Sequence, residues 1–223
     1  METNYFENPK IAKQWIHSIE TKDHWLKNET VYPAIQEWID ANEIKQVIDL
    51  GCGQGNALEF LAIDEYIGID SSETLINRAL ELYGSHFWKI NIYSISGVYE
   101  SVISVMSWFH LEDLNKASER VFDILGDSGK FCIATFNPEC YYNWEHSPGI
   151  LEYYNASLQV GNKTEGAPTV KNVTLDAHSM YVHSRIDYEN SFKRAGFKNI
   201  KMVDMGKFGT HKTGLFMMIT GEK

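Results

Sequence analysis

Apolar positions recur along this chain with two periods, and their alternation predicts strands interleaved with helices. Residues 46–50, 66–70, 87–92, 99–106 and 130–136 are short apolar runs bounded by turn residues, the form taken by strands of a buried parallel sheet. Between them, Leu75, Ile76, Ala79, Leu80 and Tyr83 recur at helical spacing, which predicts a helix over 73–83 capped by Ser71 or Ser72 and ended by Gly84. Leu114, Ala117, Val121, Ile124 and Leu125 form another stripe, closed by Gly126, and Asp127-Ser128-Gly129 turns the chain into the fifth strand. Residues 56–61 allow only a short helix. A last helix spans 187–195 up to Gly196, followed by strands at 199–204 and 215–220. Ahead of the first strand, Ile11, Trp15, Ile16 and Ile19 mark a helix over 8–19, and Pro33 starts a second one carrying Ile35, Trp38 and Ile39 and ending before Lys45. This order predicts an α/β domain on a mostly parallel sheet.

The stretch Val47-Ile48-Asp49-Leu50-Gly51-Cys52-Gly53-Gln54-Gly55 joins the first strand to a glycine-rich turn and a helix. Such a turn brings backbone close to a nucleotide-like ligand, because glycine has no Cβ. A dinucleotide fingerprint needs glycine at the first, third and sixth places, and the sixth place here is Asn56. Asp49, two residues before the first glycine, repels a pyrophosphate and favours an ammonium group. Asp70 lies 19 positions after Gly51 at the carboxyl end of the second strand, a spacing at which a carboxylate reaches ribose hydroxyls.

Asp49-Leu50-Gly51-Cys52-Gly53-Gln54-Gly55 resembles the first motif of the class I S-adenosylmethionine-dependent methyltransferases, and Gly68-Ile69-Asp70-Ser71-Ser72 resembles their second-strand acidic motif. Residues 101–110 and 125–135 follow in the family's order. The resemblance implies a Rossmann-like, doubly wound seven-stranded sheet, mostly parallel with an antiparallel final strand and helices on both faces. It implies S-adenosylmethionine as cofactor, held by Asp49, Gly51, Cys52, Gly53, Gly55, Asp70 and Ser71. Asn91 and Ile92 fall where the family meets the adenine, although Asn91 stands where aspartate is commoner, and Met106 and Ser107 fall against the amino-acid end of the cofactor. His110 follows the fourth strand, where the family often carries a histidine; it is the candidate general base, or else it shapes the pocket.

Residues 139–180 interrupt the pattern with Tyr141, Tyr142, Trp144, Tyr153 and Tyr154, on the ligand side of the sheet. They read either as a substrate-covering insert or as a satellite hydrophobic cluster. The helix over 8–19 reads in the same two ways, with Tyr5, Phe6 and Trp15 as candidate lid residues. The whole chain is then one domain: an N-terminal helical cover (1–44), a cofactor-binding half (45–138), the insert (139–180) and a C-terminal helix with a strand pair (181–223).

Composition narrows the acceptor. With 223 residues, 43% hydrophobic and 22% charged, the chain suffices for one cored domain. A net charge of −10 and a pI near 5.2 disfavour nucleic acid, whose binding depends on lysine and arginine. The loop Asn137-Pro138-Glu139-Cys140 lacks the second proline and the aromatic residue that base-amino methylation suggests. No apolar run reaches the roughly 18 residues of a membrane span and no signal-peptide pattern is present, so a cytoplasmic location without a membrane partner is expected. Cys52, Cys132 and Cys140 lack metal-ligand spacing, and His178 and His183 do not share one helical face, so no metal is expected. The oligomeric state has no signal in the pattern. The expected activity is transfer of a methyl group from S-adenosylmethionine to an oxygen, nitrogen or carbon atom of a small-molecule acceptor. The alternatives are a non-catalytic S-adenosylmethionine-binding module or partner subunit and, further back, a nicotinamide-dependent oxidoreductase.

Overall fold

The computed structural model describes residues 5–21, 25–139, 159–160, 169–171, 178–179, 181, 183–206 and 213–223. The first strand, β1 (Gln46–Leu50), forms as its pattern predicts: Val47, Ile48 and Leu50 are fully buried, and side chains alternate between two hydrophobic cores. It is an inner strand of a seven-stranded sheet with β2 (Glu65–Asp70), β3 (Phe87–Lys89), β4 (Tyr99–Val105) and β5 (Leu125–Phe136). A second sheet joins three short antiparallel strands, β6 (Gln159–Val160), β7 (Thr169–Lys171) and β8 (His178–Ser179). Near the C-terminus come β9 (Lys198–Met205) and β10 (Phe216–Glu222), which complete the large sheet in the order β3-β2-β1-β4-β5-β10-β9. Strand β10 runs antiparallel to both β5 and β9, and the remaining pairs are parallel.

Helices cover both faces. On the face of Val47 and Ile103, α2 (Trp25–Ala41) packs Val31, Tyr32, Ile35 and Ile39, and α3 (Glu73–Tyr83) packs Ile76 and Ala79. On the face of Ile48 and Val102, α4 (Leu114–Ile124) packs Leu114, Ala117 and Val121, and α5 (Arg185–Ala195) packs Tyr188 and Phe192. The ends follow the sequence signals. The Ser72 hydroxyl caps α3, Asp113 caps α4, and Ser184 with Asp187 forms a capping box at α5, which ends at Gly196 with φ 107°. The N-terminal helix α1 (Pro9–Thr21) follows a short 3₁₀ turn, Tyr5–Glu7, and buries Ile11 and Ala12.

Some boundaries differ from the pattern. Pro33 does not start α2 but lies inside it. It removes only the bond its nitrogen would make to the Glu29 carbonyl, and burial of Val31, Tyr32 and Ile35 around it carries the helix through. The third strand stops at Lys89, because the Asn91 side chain accepts from the Tyr93 N–H and winds Ile92–Ser94 into a 3₁₀ turn. Met106 leaves β4 with φ 60°. Gly126 does not close α4: Leu125 pairs with Tyr99 and Lys130 with Ser101, so residues 126–129 bulge from a strand that begins directly after the helix. Of the segment 139–180, Glu139 and the backbones of the three short strands are described. Tyr141, Tyr142, Trp144, Tyr153 and Tyr154 lie outside the described residues.

Phe192 is fully buried between Trp108, Phe131 and Phe197, with ring centroids 5.1, 4.3 and 5.7 Å away. Phe192→Ala is expected to lower unfolding stability by about 3–5 kcal/mol in urea melts. Trp88→Ala, on the sheet edge and 44% exposed, is expected to change it by about 0.5 kcal/mol at most.

Candidate functional site

Strand order reverses between β1 and β4, and the crevice beyond their carboxyl ends is where an open α/β sheet binds ligands. A cavity of about 370 Å³ opens there, within the size range of small-ligand sites. Its floor is the turn after β1. The N–H groups of Gly51 and Cys52 both donate to the Ile69 carbonyl, at 2.8 and 2.9 Å, which bends the chain sharply off the strand. Gly51 has φ 75°, and a Cβ there would lie 2.6 Å from that of Ser107. Gly53 has φ 58°, and a Cβ there would meet no atom within 4 Å, because it would project into the cavity. Gly55 does not line the cavity. A Cβ on it would strike the Phe87 ring at 2.7 Å, so it serves the packing of the turn on β3.

Asp70, at the end of β2, is buried and lines the cavity. One carboxylate oxygen accepts from the Gly53 N–H at 3.1 Å and the other from the Ser72 N–H at 2.8 Å. The residue whose spacing suits ribose thus also ties the turn after β1 to the turn after β2. Burial lifts its carboxyl to about 6, against the pull of backbone bonds from Ser72, Gly53 and Ser71. Asp49 is more deeply buried, at 1% exposure, and burial lifts it to about 7 despite a 2.7 Å hydrogen bond from the Tyr66 hydroxyl; repulsion from Asp70 adds to the rise. Its other oxygen, Oδ1, has no hydrogen-bond partner among the described residues, and neither has Oε1 of the buried, cavity-lining Gln54.

The far walls come from the turns after β3 and β4. Asn91 and Ile92 line the cavity, but Asn91 Oδ1 is engaged by the Tyr93 N–H, which leaves the amide group as its donor. Met106 and Ser107 line it from the end of β4. The positive φ of Met106 turns the chain, and Ser107 is held by Ser104 (Oγ to Oγ 2.6 Å) and by the Leu50 carbonyl at 3.1 Å. Cys52, Ser71 and His110 also face the cavity, so every predicted site residue except Gly55 meets there.

One wall is N-terminal. Tyr5, Phe6 and Trp15 line the cavity; the Ser72 hydroxyl donates to the Phe6 carbonyl at 2.5 Å, and the Phe6 ring meets that of His110 edge-on at 5.3 Å. Lys27, Gln54 and Tyr181 line it as well, and sequence reasoning passed over all three. Gln54 had a signal, since it stands inside the glycine motif. Lys27 had none: it reaches the site because α2 packs on the sheet at β5 and β9, and burial lowers its amine to about 8, against attraction to Glu59.

A family model described as "Methyltransferase domain" matches residues 27–202. The chain is 36% identical over 65 residues to an mRNA cap guanine-N(7) methyltransferase of Debaryomyces hansenii, a stretch covering 26% of this chain and 12% of that relative. Among solved structures, an S-adenosylmethionine-dependent methyltransferase of Thermotoga maritima is similar at 15% identity and a TM-score of 0.65, over 99% of this chain and 100% of that one. A Pyrococcus horikoshii OT3 protein is similar at 18% identity and a TM-score of 0.67, over 100% and 99%.

Two carboxyls raised above the ordinary value of 3.8 mean that the folded, unliganded chain holds protons which the unfolded chain has released. Their contribution to stability is therefore complete below about pH 4 and lost as pH rises through about 6 and 7. Asp49→Asn is expected to be the more stable protein at neutral pH, by on the order of a few kcal/mol, with the gain vanishing near pH 4. Urea midpoints of both proteins across that range check it; a constant difference would mean that Asp49 ionises normally.

Proposed function

The chain belongs to the methyltransferase-domain family, whose members here use S-adenosylmethionine, and from that premise we propose that it methylates an oxygen, nitrogen or carbon atom of a small-molecule acceptor. The observation that carries the cofactor assignment is a pair of buried acceptors, Asp49 Oδ1 and Gln54 Oε1, that have no partner among the described residues, beside the open space at Gly53. Acceptors without donors, in a site with two buried carboxylates, suit a ligand that brings an ammonium group and positive charge. The residues present therefore fit the cofactor. Asp49 and Gln54 would receive its ammonium end, Asp70 the ribose hydroxyls, and the Asn91 amide and Ile92 the adenine.

When bound, the cofactor supplies a methyl group already activated by its sulfonium. The chain's own task is then positioning and exclusion of water. Met106 and Ser107 form a wall fixed by hydrogen bonds to the ends of β1 and β5, while Phe6 and Trp15 cover the opening. Holding two reactants in line is worth roughly 7–11 kcal/mol of barrier. His110, under the Phe6 ring, is the group placed to take a proton from an acceptor that must lose one.

A small acceptor is favoured by the covered cavity and by the net charge of −10, which gives a polyanion little reason to approach. The likeness to a cap guanine-N(7) methyltransferase supports a second reading, in which the acceptor is the end of an RNA. Incubation with methyl-labelled S-adenosylmethionine separates them: label is expected on amines, phenols or acids in small-molecule pools, and label on capped RNA alone would overturn the proposal. On an acceptor so identified, His110→Ala is expected to lower kcat by roughly 10²–10⁴-fold with cofactor affinity unchanged if the histidine is the base. Retention of most activity by His110→Asn would reduce it to shaping the pocket. In calorimetry with S-adenosylhomocysteine, Asp70→Ala is expected to weaken binding by tens of fold, from the roughly 1.5–3 kcal/mol of a hydrogen bond to a charged group. Unchanged affinity would remove Asp70 from the site.

A further inference from the structure

Tyr66 does not line the cavity, yet its hydroxyl makes the one hydrogen bond to the Asp49 carboxylate among the described residues. It projects from β2 onto the face of the sheet that also carries Asp49, in the core under α2. Its ring packs against Phe87 at 5.7 Å, and only 7% of the residue is exposed. A ring held this way cannot follow the carboxylate if the latter rotates. One oxygen of Asp49 is therefore pinned, and the other is left for a donor in the cavity.

We infer that Tyr66 is a positioning residue for the amino-acid end of the cofactor, acting through Asp49: it fixes Oδ2 so that Oδ1 is presented to an ammonium group. The inference rests on the cofactor assignment made above. The bond supplies orientation, and it also favours the ionised carboxylate that burial and Asp70 oppose. Burial and the negative field of Asp49 hold the phenol well above its ordinary pKa, so Tyr66 stays a donor. The other titratable groups around this pair are Cys52 from the turn after β1, Asp70 from the end of β2, and Tyr32 and Lys27 from α2. Of that set the two carboxylates, raised to about 7 and about 6, and the Lys27 amine, lowered to about 8, change charge near neutral pH, and Asp49 is the one that is bonded to Tyr66.

The test compares S-adenosylhomocysteine with 5′-methylthioadenosine, which keeps the nucleoside and sulfur but lacks the amino-acid end. Tyr66→Phe is expected to weaken S-adenosylhomocysteine roughly tenfold or more at pH 7, the scale of a lost hydrogen bond to a charged group, and to leave 5′-methylthioadenosine within about twofold. The loss should shrink at higher pH, because removing the hydroxyl raises the pH at which Asp49 ionises. Asp49→Asn should show the same selectivity, and adding Tyr66→Phe to it should cost little more. Equal losses on both ligands, no loss, or additive losses in the double variant would overturn the inference and leave Tyr66 as core packing. Should Tyr66→Phe not fold, the wild type still decides: affinity for 5′-methylthioadenosine follows Asp70 and levels off above about pH 6, whereas that for S-adenosylhomocysteine must keep rising through about pH 7 with Asp49, and two profiles of the same shape overturn it. Failure of the cofactor assignment looks different, since the wild type would then bind neither compound.

Discussion

Two carboxylates are buried close together at the ends of adjacent strands, and much of the local architecture answers the cost of keeping them there. A buried charge needs hydrogen bonds or a counter-charge. Asp70 receives its bonds from the backbone of two loops, and in doing so sets the relative position of those loops. Asp49 receives one from Tyr66 and keeps one oxygen without a partner among the described residues. The same two groups therefore tie the geometry of this site to the stability of the fold.

The cover over this site is built with similar economy. The short turn Tyr5–Glu7 is tethered at Phe6 to the cap residue of α3, so the hydroxyl of Ser72 serves two elements: it accepts from the Leu75 N–H and donates to the Phe6 carbonyl. The Phe6 ring then rests on His110 and Trp15. The surroundings of the candidate base thus include a segment from outside the β-α-β core. Among the described residues no helix is long and apolar enough to cross a membrane.

Where the sequence reading went astray, a long-range contact had overridden a local signal. Pro33 reads as a helix start, yet the turns before it are helical because Val31 and Tyr32 bury against the sheet. Gly126 reads as a helix end, yet pairing with Tyr99 draws Leu125 into β5. Gly55 belongs to the motif that carries the family resemblance, but its own lack of a side chain serves the Phe87 ring behind the turn. Lys27 lies far from any motif and joins the cavity through helix packing alone.

The sequence by itself determined the order of strands and helices in the large sheet, the first strand to the residue, and the family, because period, capping residues and the glycine turn are local properties that survive without tertiary context. It also marked Asp49 and Asp70 as the acidic positions of the site. What Asp49 and Asp70 touch was decided by the tertiary structure: Tyr66 reaches Asp49 because β1 and β2 pair in the register that sets Val47 beside Tyr66, and Gly53 reaches Asp70 because the Ile69 carbonyl binds two amides of the turn. The ionisation of both carboxyls was decided there as well, since it follows from how much water the surrounding helices and strands exclude, and that is a property of packed volume which no pattern of residues along the chain contains.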